Sequence, residues 1–104
     1  MRRARTVKEY TEMVQQAIFE VGDLRDCMEY HFEEMGKVPL YLDHLETGVK
    51  DVFQKMKDGC YVFADGDLAF MEIAMKHAED IPFIQLLQQI NETHLHGLDI
   101  EEDQ

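Results

Sequence analysis

The sequence predicts an all-α, four-helix bundle-like domain led by a long antiparallel helical hairpin. Three observations carry that expectation. Apolar residues recur at alternating spacings of three and four along the first third of the chain. Helix start and stop signals bracket the periodic segments. Trp is absent, Pro occurs twice and Met seven times, which suits helices better than a sheet with many turns. With 104 residues, residues 1–104 are expected to form a single domain with one modest core.

The first helix opens on Thr6-Val7-Lys8-Glu9, a capping box in which the Thr6 hydroxyl and Glu9 carboxylate satisfy orphan N–H groups reciprocally. Val7, Tyr10, Val14, Ala17, Val21, Leu24, Met28, His31 and Met35 form its heptad seam, widened by Ile18 and Phe32. Glu12, Glu20, Asp23, Asp26, Glu29 and Glu33 take the opposite face. Gly36 is placed to be C′, and Pro39 cannot easily continue the helix. Gly22 lowers propensity by about 1 kcal/mol relative to Ala, too little to override so long a pattern. A helix of roughly 29 residues follows, about 44 Å long at 1.5 Å per residue.

The second helix is expected from near Pro39 to Asp58, with Gly59 as its stop. Leu42, Leu45, Val49, Val52, Phe53 and Met56 make its apolar stripe. The short Gly36–Val38 linker implies an antiparallel hairpin. "CYVFA" then sits between Asp58-Gly59 and Asp65-Gly66. A lone strand has nothing to pair with, so this reads as a buried connector or a helix extension. A third helix, from near Asp65 or Asp67, covers Leu68, Met71, Ile73, Met75 and Ala78, with Phe70 and Ala74 making it apolar on most sides. Asp80 is placed to cap a fourth helix with Pro82 in its first turn, carrying Phe83, Leu86, Leu87, Ile90 and His94 and ending at Gly97. Residues 1–5 form a basic N-terminal arm, and residues 98–104 an acidic, solvated and mobile tail.

A net charge of −12 bounds the function. Four of the ten basic residues, Arg2, Arg3, Arg5 and Lys8, lie in the first eight positions, while Lys76 is the one basic residue from Asp58 onward, against eleven acidic ones. Such a surface repels phosphates, so no nucleic-acid partner is expected. No apolar run reaches the roughly 18 residues of a bilayer span, so no membrane partner is expected either. The basic start has no apolar run behind it, and Cys27 and Cys60 are too few for a disulfide framework. A reducing cytoplasm with both thiols free is the expected compartment.

Candidate chemistry is sparse. In "NETHLHG", His94 and His96 stand two apart on a helical turn, so their rings point roughly 200° apart and do not share a metal. A helix C-terminus favours cationic His, and His94 continues the apolar stripe. Cys27, His31 and Glu34 lie within reach of one ion, with His44 or His77 as a possible fourth ligand. Against a metal site, His31 is a seam residue and Cys27 flanks the seam as a small hydrophobe. Arg25 and His31 share a spacing with some helical ribonucleases, an activity that the acidic surface opposes. No Gly-rich phosphate loop or calcium loop occurs.

The expected function is therefore a non-enzymatic, acidic helical module for protein interaction or regulation, without cofactor or metal. It should retain an exposed Met- or Phe-bearing stripe for its partner. The alternative is a metal-binding or redox bundle using Cys27 and His31, which elemental analysis separates from the first. A homodimer is also expected. The second helix, about 30 Å long, leaves roughly 14 Å of the first uncovered around Val7, Tyr10 and Val14 unless the later helices cover it.

Overall fold

Helix formation starts with the capping box. The Thr6 hydroxyl accepts the Glu9 N–H at 2.9 Å, while the Glu9 carboxylate reaches back to the N–H of Arg5, also at 2.9 Å. The carboxylate thus satisfies a donor one residue earlier than the motif predicts. The computed structural model of the chain describes residues 3–31, 40–63 and 66–98, with side chains described up to 27 in the first stretch. Within them lie α1 (Val7–His31), α2 (Leu40–Lys57), α3 (Met71–Lys76) and α4 (Ile84–His96), with a 3-10 turn at Ala78–Asp80. No strand occurs among the described residues, and the four helices pack against one another as an all-α, bundle-like domain. The expected Gly36 stop, and Phe32, Glu34, Met35, Asp65 and residues 99–104, lie outside the described residues.

The seam of α1 is the core. Tyr10, Val14, Ala17 and Val21 are buried, against Leu42, Leu45, Val49 and Val52 of α2 and Leu87 and Ile90 of α4. The first two helices run antiparallel. Near the end of α1, Arg25 binds Asp43 and Glu46 at the start of α2, whereas Val7, Tyr10 and Thr11 share a cleft with Met56 and Gly59 at the other end. Gly59 stops α2 as expected, in a left-handed conformation (φ 74°). The Gly59 N–H bonds Met56 and the Cys60 N–H bonds Lys55, the paired closure of a Schellman motif.

The later helices differ from expectation in their starts. Residues 67–70 are not helical, and α3 begins only at Met71. Asn91 on α4 is the reason. Its Oδ1 accepts the Leu68 N–H at 2.8 Å and its Nδ2 donates to Asp67 at 3.0 Å, holding both residues in irregular backbone. Nor does Asp80 cap α4, because Phe83 is the N-cap residue and no side-chain bond closes it. Ile81, preceding Pro82, is extended (φ −109°, ψ 102°), the conformation that a following proline imposes. Pro82 therefore sits in the turn ahead of the helix.

Coverage of the start of α1 comes from the chain itself. The backbone N–H of Ala4, fully buried, donates to Thr93 Oγ1 at 3.0 Å. Arg3 Nη1 donates to the His96 carbonyl at 2.9 Å, so residues 3 and 4 of the basic arm dock on α4. Tyr10 and Val14 are buried without a second copy. Tyr10 and Val14, part of the length expected to be left uncovered, are thus covered within the chain, while Val7 stays 68% exposed. Leu98, at the start of the tail, packs against the core rather than lying in solvent.

Candidate interaction site

The turn at Gly59 sends Cys60–Phe63 back across the gap between α1 and α4. This connector is neither helix nor strand, and it is not buried as a unit. Cys60, Val62 and Phe63 are exposed, and Tyr61 is half-buried. Tyr61 organises the surroundings. Its hydroxyl lies 2.6 Å from the Tyr10 hydroxyl and 2.6 Å from His94 Nδ1. The Tyr10 hydroxyl in turn donates to the Ile90 carbonyl at 3.2 Å. A neutral His94 carrying its hydrogen on Nδ1 completes this chain, because each oxygen then donates once and accepts once.

Burial governs the electrostatics. Tyr10 is pushed far above the usual tyrosine range, first by desolvation and then by Tyr61. Tyr61 is raised by burial against a smaller opposing effect of Tyr10. His94 is lowered below the usual 6.5 by desolvation, although the Gly66 carbonyl and the Asp67 carboxylate pull the other way. Burial therefore holds the ring toward its neutral form, while the hydrogen-bond chain itself needs only a hydrogen on Nδ1.

Three aromatic rings make one wall. Phe63 stacks on Tyr10 at 5.9 Å between centroids and meets Tyr61 edge-on at 5.4 Å, while Tyr10 and Tyr61 are T-shaped at 5.5 Å. These rings, with Val7, Thr11, Met56 and Gly59, line a half-open, mostly apolar cleft of about 230 Å³. Behind Tyr61 a hollow of about 190 Å³ is lined by Val52, Lys55, Cys60, Val62, Leu68 and His94. A broad depression elsewhere includes His44, Gly48, Asp51, Phe70 and Glu72. Val7 is 68% exposed, Val62 73% and Phe63 40%, so three of the six exposed large hydrophobic residues among the described residues gather at the cleft end.

The residues singled out in the sequence are scattered. His94 is buried against Tyr61, while His96 is exposed and lies 3.1 Å from Glu92, so the two rings face different neighbours, as the helical rotation predicts. Cys27 is exposed rather than tucked beside the seam. The side chains of His31 and Glu34 lie outside those described. His77 stacks on Tyr41 at 4.0 Å. No three His, Cys, Asp or Glu side chains converge on a metal-sized site among the described residues. Arg25 is engaged by Asp43 and Glu46. Sequence reasoning missed Tyr61, Asn91 and Thr93, whose partners lie 23 to 89 residues away. The only available signal was a tyrosine held between two Asp-Gly turns.

No protein-family model, curated protein or solved structure matches the chain. No described helix is long and apolar enough to cross a membrane.

Proposed function

We propose that the chain is a non-enzymatic interaction module, acting in the cytoplasm, that binds a protein partner through the cleft between the start of α1 and the end of α2. The observation that carries this reading is the pairing of a rigid floor with an exposed rim. Tyr10 is 2% exposed and hydrogen-bonded on both sides of its hydroxyl, whereas Val7 is 68% and Phe63 40% exposed. A preformed apolar cleft loses little conformational freedom on binding, and exposed apolar side chains concentrated at one end mark an interaction surface better than scattered ones do. Phe63, 40% exposed, supports this reading, while Met56 in the same cleft is only part-exposed.

The test is affinity capture with the wild type and with Val7→Glu and Phe63→Ser side by side. Val7 is exposed in the first turn of α1, where a carboxylate is well tolerated, so the Val7 variant should keep its melting temperature. A protein retained by the wild type and lost with both variants is the expected result. Identical captured sets would reject the cleft as the binding surface. Sedimentation of the wild type decides whether the partner is a second copy of the chain.

A further inference from the structure

Tyr61 is a partition as well as a member of the hydrogen-bond chain. The same ring lines the front cleft of about 230 Å³ and the rear hollow of about 190 Å³. Each falls below the ~300–1,000 Å³ of small-molecule pockets, and the two joined fall within it. The segment that carries the ring is held by few bonds. Gly59, in its left-handed conformation (φ 74°), precedes it, and the Cys60 N–H is tied to Lys55. Beyond that bond, the backbone of Tyr61, Val62 and Phe63 makes no hydrogen bond with another described residue. Side chains do the holding instead. The Tyr61 hydroxyl bonds Tyr10 and His94, and the Tyr61 and Phe63 rings rest against Tyr10. Val62 is exposed and adds little.

Swinging this segment outward strands no buried polar group. The Tyr10 hydroxyl keeps the Ile90 carbonyl as its acceptor, and water entering the hollow reaches the hydroxyls and the His94 ring. Opening differs in this from removing the hydroxyl in place, where a Phe ring at position 61 goes on excluding water. The floor beneath does not depend on the segment for its position. Val52 belongs to α2 and His94 to α4, while the Leu68 N–H is held by Asn91. All three are buried and share the hollow with Tyr61.

We propose that Cys60–Phe63 is a strap that opens transiently about Gly59 while the rest of the domain stays folded, and that the Tyr61 hydroxyl is its latch. Closed, the strap divides the site into two small hollows. Open, it leaves one trough floored by Tyr10, Val52, Leu68 and His94. Such a motion breaks few contacts and uncovers little surface, so it belongs with local openings rather than with unfolding. The device is a property of the chain alone, and it stands or falls apart from the protein-binding reading of the cleft.

Thiol labelling measures the opening. With the exposed Cys27 and Cys60 replaced by Ser, a single cysteine is introduced as Val52→Cys, in the hollow, or as Val49→Cys, in the core of the same helix. Ellman's reagent should modify position 52 at least about ten-fold faster than position 49, with little dependence on urea below the unfolding transition. Adding Tyr61→Phe should speed modification at position 52 by about five-fold relative to position 49, the effect of about one lost hydrogen bond. Position 49 reads any general loss of stability that this change causes. Leu68→Cys, lining the same hollow, is the second reporter and should behave as position 52 does. Equal rates and equal urea dependence at positions 49 and 52 would overturn the proposal, because only global unfolding would then uncover the hollow. Fast labelling at position 52 that Tyr61→Phe leaves unchanged would overturn it too, since access would then lie in the static hollow and not in the strap.

Discussion

The two ends of the α1–α2 hairpin are held by different forces. At the end where α1 begins, buried hydroxyls, an imidazole and backbone groups form a continuous hydrogen-bond chain from His94 through Tyr61 and Tyr10 to Ile90. At the other end, Arg25 bridges Asp43 and Glu46 near the surface. There Tyr41 is buried with its hydroxyl unpartnered among the described residues. A buried network resists loss because each member removed strands another in low dielectric. A surface ion pair trades one solvated arrangement for another. The cleft end should therefore carry the stability and the defined shape, and the Arg25 end little of either.

Truncation gives the largest contrast. Tyr10→Ala should cost about 3–5 kcal/mol, as large aromatic core truncations do, whereas Arg25→Ala should cost up to about 1 kcal/mol. Urea denaturation measures both, and similar costs would dissolve the distinction between the ends. The next contrast lies between two helical glycines. A Cβ on Gly48 would stand 2.7 Å from Phe70 Cβ, while one on Gly22 would meet nothing within 4 Å. Gly48→Ala should destabilise by about 1–3 kcal/mol through overpacking. By contrast, Gly22→Ala should raise stability by about 0.5–1 kcal/mol through helix propensity. Opposite signs in thermal melts are the expected outcome.

Single hydroxyls sharpen the comparison further. Tyr61→Phe leaves Tyr10 and His94 short of a partner and should cost about 1–3 kcal/mol, whereas Tyr41→Phe removes an unsatisfied group and should be neutral or mildly stabilising. Equal effects in denaturant titrations would mean that the hydrogen-bond chain contributes nothing beyond packing. The smallest effect is pH-dependent. Since His94 titrates below 6.5 in the folded protein, the unfolded chain takes up its proton first as the pH falls. Stability associated with this residue is intact above about 6.5 and declines below it. Melting temperatures of the wild type should fall more steeply than those of His94→Gln between about pH 7 and 5, and parallel curves would remove His94 as the cause.

What could be read in advance follows the range of the interactions. The seam residues from Tyr10 to Val21, the stripe of α2, the Thr6–Glu9 cap and the Gly59 stop depend on neighbours three to six positions away, so periodicity and turn chemistry expose them. The third and fourth helices were misplaced at their starts because the deciding groups are distant. Asn91 captures Leu68 from 23 residues along the chain, and nothing near Asp67 announces it. The candidate site was the least legible part, since the sequence shows Tyr10, Tyr61 and His94 as three unrelated polar aromatics.

The sequence by itself determined that this chain is helical, where its apolar faces lie, and that its charge is strongly negative and concentrated away from its first eight residues. These are properties of composition and of local spacing, and every compact arrangement of the helices inherits them. Tertiary structure alone decided that α4 and residues 3 and 4 cover the start of α1, that Gly48 lets Phe70 approach α2, and that the Tyr10, Tyr61 and Phe63 rings meet in one wall beside Val7. The physical reason is that a buried polar group must find a partner somewhere, but the position of that partner depends on how the helices pack. A residue's type states the need, and only the folded chain supplies the neighbour.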